Sequence, residues 1–365
     1  MPRSANLVAA VVFLAACHGG DGAETDGGLA DDDGGIVTDD AGHPLGADGG
    51  DDQPGNDAGS DAGPEVDAGP LSADAGPDAS LLSMQGVYGD FATRTIPSDA
   101  IVYGVRYELW SDGATKRRWL LLPAGGVVDN TDQEHWTFPL GTRLVKEFTR
   151  DGVVVETRIE ETLSSGIDLR TYVWNAQHTE ATRAVDGAFN IDGTAHDAPT
   201  AHECMMCHEG EPGGALGFSA IQLTPQMISW LSAAGKLRVP IADGTQFGPT
   251  GDPMAVAALT YLHANCGHCH QPGGYASTVN NQYLKLATDS RPANMEPGWV
   301  STVGVTVQGD GEGGGKRIDP GNPMNSAIVR RMSLRGSGQM PLIATEIVHA
   351  AGVQTVTDWV NSIGQ

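Results

Sequence analysis

The sequence predicts a multidomain chain in which an all-β, sandwich-like N-terminal domain precedes a mainly α region. Three observations carry this. From His18 to about Ser80 large apolar residues are almost absent, so neither domain starts before that point. Between Gly86 and Asn190 apolar residues alternate with polar ones and Gly-containing turns separate the runs. From Pro199 onward the apolar period changes to the i, i+3, i+4 spacing of a helix face.

The chain opens with Arg3, an apolar run from Leu7 to Ala16, and Cys17. A basic start, a short apolar core and small residues before a cleavage point describe a secretory signal, too short to persist as a membrane-spanning helix. Leu14-Ala15-Ala16-Cys17 resembles the bacterial lipobox, which implies that residues 1–17 are a lipoprotein signal and that Cys17 is lipidated. The alternative is an ordinary signal peptide that happens to contain a Cys. Acyl chains on Cys17 would tether an exported protein to a membrane surface rather than thread it through. His18 follows the Cys where an Asp would resemble an inner-membrane retention signal, so the expected location is the periplasmic face or the outer membrane.

Residues 18–85 are rich in Asp, Gly, Ala and Pro, and no Lys or Arg occurs between Arg3 and Arg94. Such a segment buries too little apolar surface to offset its ordering entropy, which predicts a disordered acidic linker kept extended by charge repulsion. Its loose Asp-Ala-Gly repeats (Asp57-Ala58-Gly59, Asp61-Ala62-Gly63, Asp67-Ala68-Gly69) lack the strict register of calcium-binding nonapeptides. Much of the net charge of −25 sits here. No basic patch or stripe follows, which argues against nucleic-acid binding.

Residues 86–195 form the predicted β domain. Ile101, Tyr103, Val105, Tyr107 and Leu109 alternate with smaller or polar residues, as in a half-buried strand. Arg118 to Leu122, Trp136 to Phe138 and Leu169 to Trp174 read as further strands. Leu144 to Thr149 and Val153 to Ile159 flank Arg150-Asp151-Gly152, a hairpin signal. Trp110-Ser111-Asp112-Gly113 is an unusual run, with core aromatics the simpler reading. Glu160 and Glu161 point to opposite faces of a strand and cannot act as an acid/base couple.

Residues 196–249 and 250–365 are the predicted helical units. Thr224-Pro225 and Asp252-Pro253 are helix starts. Met227, Trp230 and Leu231 lie at one-face spacing, as do Ala255, Leu259 and Leu262. Val353, Val356, Val360 and Ile363 mark a closing helix. Each unit carries a C-x-x-C-H motif: Cys204-Met205-Met206-Cys207-His208, and Cys266-Gly267-His268-Cys269-His270. Two thiols at this spacing reach the two vinyl groups on one haem edge, and the following His offers its imidazole to the iron. A zinc knot would place its two pairs roughly 15–20 residues apart, far closer than Cys207 and Cys266, and gives no reason for a His after both. Of the five cysteines, four are in these motifs and one is Cys17, so none remains for a structural disulfide. The expected cofactors are two covalently bound haem c groups, on Cys204, Cys207, Cys266 and Cys269, with His208 and His270 as axial iron ligands.

Residues 250–365 resemble a class I cytochrome c domain through Tyr261-Leu262-His263-Ala264-Asn265-Cys266-Gly267-His268-Cys269-His270, Pro320-Gly321-Asn322-Pro323 and Met340-Pro341. The resemblance implies His270 as proximal ligand and Met340 as the distal sulfur, a pairing suited to electron transfer. Residues 86–365 as a whole resemble a family of exported di-haem c-type cytochromes with a β-rich front half. The carrying residues are Leu109-Trp110-Ser111-Asp112-Gly113, Trp136-Thr137-Phe138-Pro139-Leu140-Gly141-Thr142, Thr171-Tyr172-Val173-Trp174-Asn175 and Glu203-Cys204-Met205-Met206-Cys207-His208. The family supplies no substrate. The first motif has no Met-Pro partner, and Met227, Met254, His178 and His196 are its candidate sixth ligands.

The expected function is a membrane-tethered electron carrier between an exported dehydrogenase or another cytochrome and a downstream acceptor. A di-haem peroxidase or oxidase with an open first iron is the enzymatic alternative. A third reading makes the β domain a binding module whose haems serve a partner.

Overall fold

The computed structural model describes residues 79–278, 280–307 and 315–364, and they belong to one compact unit. The signal, Cys17 and nearly all of the acidic linker lie outside the described residues. Among those residues no helix is long and apolar enough to cross a membrane.

The β region is one six-stranded antiparallel meander: β1 (Ile101–Val102), β2 (Thr115–Leu121), β3 (Arg143–Arg150), β4 (Val153–Leu163), β5 (Gly166–Trp174) and β6 (Ala181–Arg183), paired in chain order. The β3–β4 connection has Asp151 at φ 51° and Gly152 at φ 84°, the left-handed pair that a two-residue hairpin turn requires. A register shift between Phe148 and Thr149 adds a bulge next to it.

The expected sandwich has no second sheet of comparable size among the described residues. One face of the meander carries Trp119, Val145, Ile159, Tyr172 and Trp174, and it is covered by Leu82, Val87 and Tyr88 from the segment leading into the sheet. Helical segments cover the other face, where Leu120 and Leu144 share a core with Phe218, Leu223, Ile228 and Leu231. Alternation in a strand reports that a face is buried, not what buries it. That is why one sheet under helices reads like half a sandwich.

The helices are α1 (Ala201–His208), α2 (Pro225–Ala233), α3 (Pro253–Cys266), α4 (Pro297–Val300), α5 (Ala327–Met332) and α6 (Ala350–Ser362). Thr200 and Glu203 close a reciprocal capping box on α1. Thr224 caps α2 through the Met227 amide, and Asp252 caps α3 through the Met254 and Ala255 amides. Leu259, Leu262, Ile328, Val329, Val356, Trp359 and Val360 form the core that joins α3, α5 and α6. A pair of two-residue strands, β7 (Pro249–Thr250) and β8 (Arg291–Pro292), ties the start of α3 to a later loop.

Candidate functional site

The two C-x-x-C-H motifs, far apart in sequence, face one cavity of about 510 Å³. Cys204, Cys207, His208, Cys266, Cys269, His270 and Met340 all line it. The first motif lies within α1 and the second begins at the last residue of α3. Cys204, Cys207 and His208 are thus held on one helix, and Cys266 at the end of another.

One wall of the cavity is the helix-side face of the meander, contributing Arg118, Leu144, Lys146, Arg158, Glu160 and Thr171. Tyr103, Val105, Tyr107 and Leu109 form a second wall. Their period-2 spacing is real, yet only Ile101 and Val102 belong to a strand. The Tyr103 amide still donates to the Arg118 carbonyl on β2 at 3.1 Å, but after it the chain leaves the sheet and the Arg106 amide donates to the Gln222 carbonyl at 2.7 Å. Trp136 and Phe138, also read as a strand, are core residues held by a single bridge between Asp129 and Thr137.

His208 presents one ring nitrogen free for a ligand. Its Nδ1 lies 2.6 Å from the Gly214 carbonyl. Only a protonated Nδ1 can donate there, which leaves Nε2 with its lone pair free. Burial pushes the ring down to about 3, so the imidazole is neutral at ordinary pH. Glu160 Oε2 stands 3.7 Å from the same Nδ1. His270 is buried too; burial lowers its pKa, and the Asn280 side chain acts against that. Its Nδ1 is buried with no hydrogen-bond partner among the described residues. An orphaned ring nitrogen beside two free thiols in an enclosed space suits a bound group.

The residues fit covalent haem. All four thiols are free, and each pair has an imidazole one residue on. Among the described residues no three His, Cys, Asp or Glu side chains converge to hold a bare metal ion. A porphyrin brings four of the iron's ligands itself, so it asks the chain only for axial donors and thioether sulfurs. Met340 lies on the cavity lining, with its backbone amide bonded to the Arg331 carbonyl at 3.0 Å.

None of the four candidate sixth ligands for the first motif lines the cavity. His196 Nε2 lies 2.8 Å from Glu156 Oε2 on a buried carboxylate, and His178 faces Asp192 at 3.4 Å. Met254 is half exposed and Met227 packs on the core beneath α2.

Trp110, expected as a core aromatic, is instead half-buried on the cavity lining, and Trp110-Ser111-Asp112-Gly113 acts as a clamp. The Trp110 amide donates to Asn265 Oδ1 at 2.7 Å, and Asn265 Nδ2 donates to the Glu108 and Tyr261 carbonyls. Asn265 immediately precedes Cys266. The Trp110 ring stacks on His349 at 4.1 Å and 4°, and its Nε1 donates to the Ile347 carbonyl at 2.9 Å. This run therefore fastens the loop after Met340 and the end of α3 to the β region. Glu161, as alternation requires, is turned away from Glu160 and pairs with Arg170.

No family model, no curated protein and no solved structure matches this chain.

Proposed function

We propose that this chain is an exported, membrane-tethered di-haem c-type cytochrome that carries electrons between an exported dehydrogenase or another cytochrome and a downstream acceptor. The observation that carries this reading is the single cavity shared by both C-x-x-C-H motifs and Met340. Bound haem would supply one-electron storage. Cys204 and Cys207 would hold one group and Cys266 and Cys269 the other. His208 and His270 would donate to iron, with Met340 as a further sulfur donor. Gly214 fixes the tautomer of His208 through the 2.6 Å bond. The apolar lining around Leu144, Leu284 and Ile328 lowers the polarity beside the rings, which favours a fast electron carrier by limiting solvent reorganisation.

The test is covalent haem per chain by pyridine haemochrome after export in a host with haem-maturation machinery, with ferric and ferrous spectra. Two haems, one with a sulfur-to-iron band that Met340→Ala removes, support the reading. One haem or none overturns it.

The absence of Met227, Met254, His178 and His196 from the cavity lining favours one second reading, a peroxidase or oxidase with an open position at the first iron. Peroxide turnover with a reduced cytochrome donor, lost in His208→Ala, would support that reading. No turnover together with a low-spin first haem would remove it.

A further inference from the structure

We infer that Cys207 and Cys269 form a junction that holds the two redox groups side by side and makes them one electronically coupled pair. This rests on the di-haem reading and deepens it. A chain with two attachment motifs could keep its haems at opposite ends, as separate relays. Here the second cysteines of the two motifs meet.

The geometry is built from several contacts. The Cys269 thiol donates to the Met206 carbonyl at 3.3 Å, one residue before Cys207. That bond brings the Cys269 sulfur against the backbone next to Cys207, close enough for the two thiols to perturb one another. The loops that follow the motifs are pressed together as well. A Cβ at Gly210 would meet Gln271 Nε2 at 2.8 Å and Gly274 Cα at 2.9 Å, so only a glycine allows this approach. Glu211 then ties both sides: its Oε1 accepts from Gln271 Nε2 at 3.1 Å and from Lys285 Nζ at 2.6 Å. Gln271 is buried and Glu211 nearly so, which keeps these bonds out of water.

Each thioether sulfur would be joined to the edge of its conjugated ring through one saturated carbon. Two such sulfurs in contact put the ring edges only a few atoms apart, and electronic coupling falls steeply with distance. The Cys207–Cys269 contact is then the dominant route between the two groups. Charge placed on one group is also felt by the other at so short a separation. The pair therefore takes its two electrons in separate, mutually dependent steps. Glu211 is a positioning residue for this junction and touches neither group's iron ligands.

The experiment uses the haem-loaded full chain and begins with the haem count, so that failure of the di-haem reading is seen first. Circular dichroism across the main haem band and electron paramagnetic resonance of the ferric state follow. A two-signed couplet in the first and a spectrum that is not the sum of two isolated ferric haems in the second are expected. Two haems per chain with additive spectra overturn the junction while leaving the di-haem reading intact. Fewer than two haems overturn both. Glu211→Gln should keep both haems and lose most of the couplet; an unchanged couplet in that variant overturns the role of Glu211 in the junction.

Discussion

The Asp112 carboxylate accepts the Ile347 amide at 2.7 Å across 235 residues of chain, and it takes the Glu346 amide at 3.0 Å as well. Asp112 is buried, and it sits at φ 51° ahead of Gly113 at φ 81°. The tight turn between the cavity wall and β2 thus aims one carboxylate at the loop that follows Met340. Asp112→Ala removes both acceptors and should cost about 1–3 kcal/mol in equilibrium unfolding. Asp112→Asn keeps one carbonyl oxygen and should cost less. A denaturant midpoint unchanged in both variants would show that the clamp contributes nothing.

Gly352 on α6 faces Tyr261 on α3, and a Cβ there would overlap the Tyr261 ring. Glycine to alanine inside a helix normally gains about 1 kcal/mol. Overpacking a core costs about 1–3 kcal/mol, and the loss wins where the neighbour is a partly buried ring packed against the core. Gly352→Ala should therefore lower the thermal midpoint. Tyr261→Leu in the same chain should recover part of that loss, a non-additivity that two independent sites would not give.

Glu296 is fully buried, its Oε2 accepts from the Ala287 amide at 3.1 Å, and its Oε1 has no partner among the described residues. Burial raises its pKa from 4.5 to about 7, with the Ala287 hydrogen bond opposing. The folded state then binds a proton that the unfolded state has released. Stability is fully present below pH 4.5 and declines as pH rises through about 7. Glu296→Gln keeps the shape without the charge, and its thermal midpoint should vary less with pH over that window. Parallel pH profiles for the two proteins would contradict this assignment.

In the haem-free chain the Cys207 and Cys269 thiols remain neighbours. Exposure to a disulfide oxidant should join them, each thiol losing one proton and one electron while the oxidant's disulfide is reduced to two thiols. Peptide mapping without reductant should recover a 207–269 cross-link ahead of 204–207 or 266–269. A map dominated by the two within-motif pairs would mean that the motifs stand further apart.

The pieces of the site that lie close together in the chain were legible. Asp252, Pro253 and the apolar positions through Leu262 announce the helix that ends at Cys266, because capping and i, i+4 packing act over a few residues. Tyr103 to Leu109 is the instructive difference. The alternation marks a row of side chains facing the cavity, but the sequence cannot distinguish hydrogen bonds to a neighbouring strand from bonds to the Gln222 loop. The layer that covers the sheet is open in the sequence for the same reason, since strand periodicity does not name it.

By itself the sequence determined the chemistry available: two thiol pairs, each with an imidazole directly after, and a later Met-Pro. Those depend on spacings of a few residues, which covalent geometry fixes. The tertiary structure decided that the two motifs open onto one cavity, that Cys207 and Cys269 meet, and that Asp112 and Asn265 lock the surrounding loops. Such meetings span long stretches of chain, and their free energy comes from burying surfaces that no short window of sequence contains.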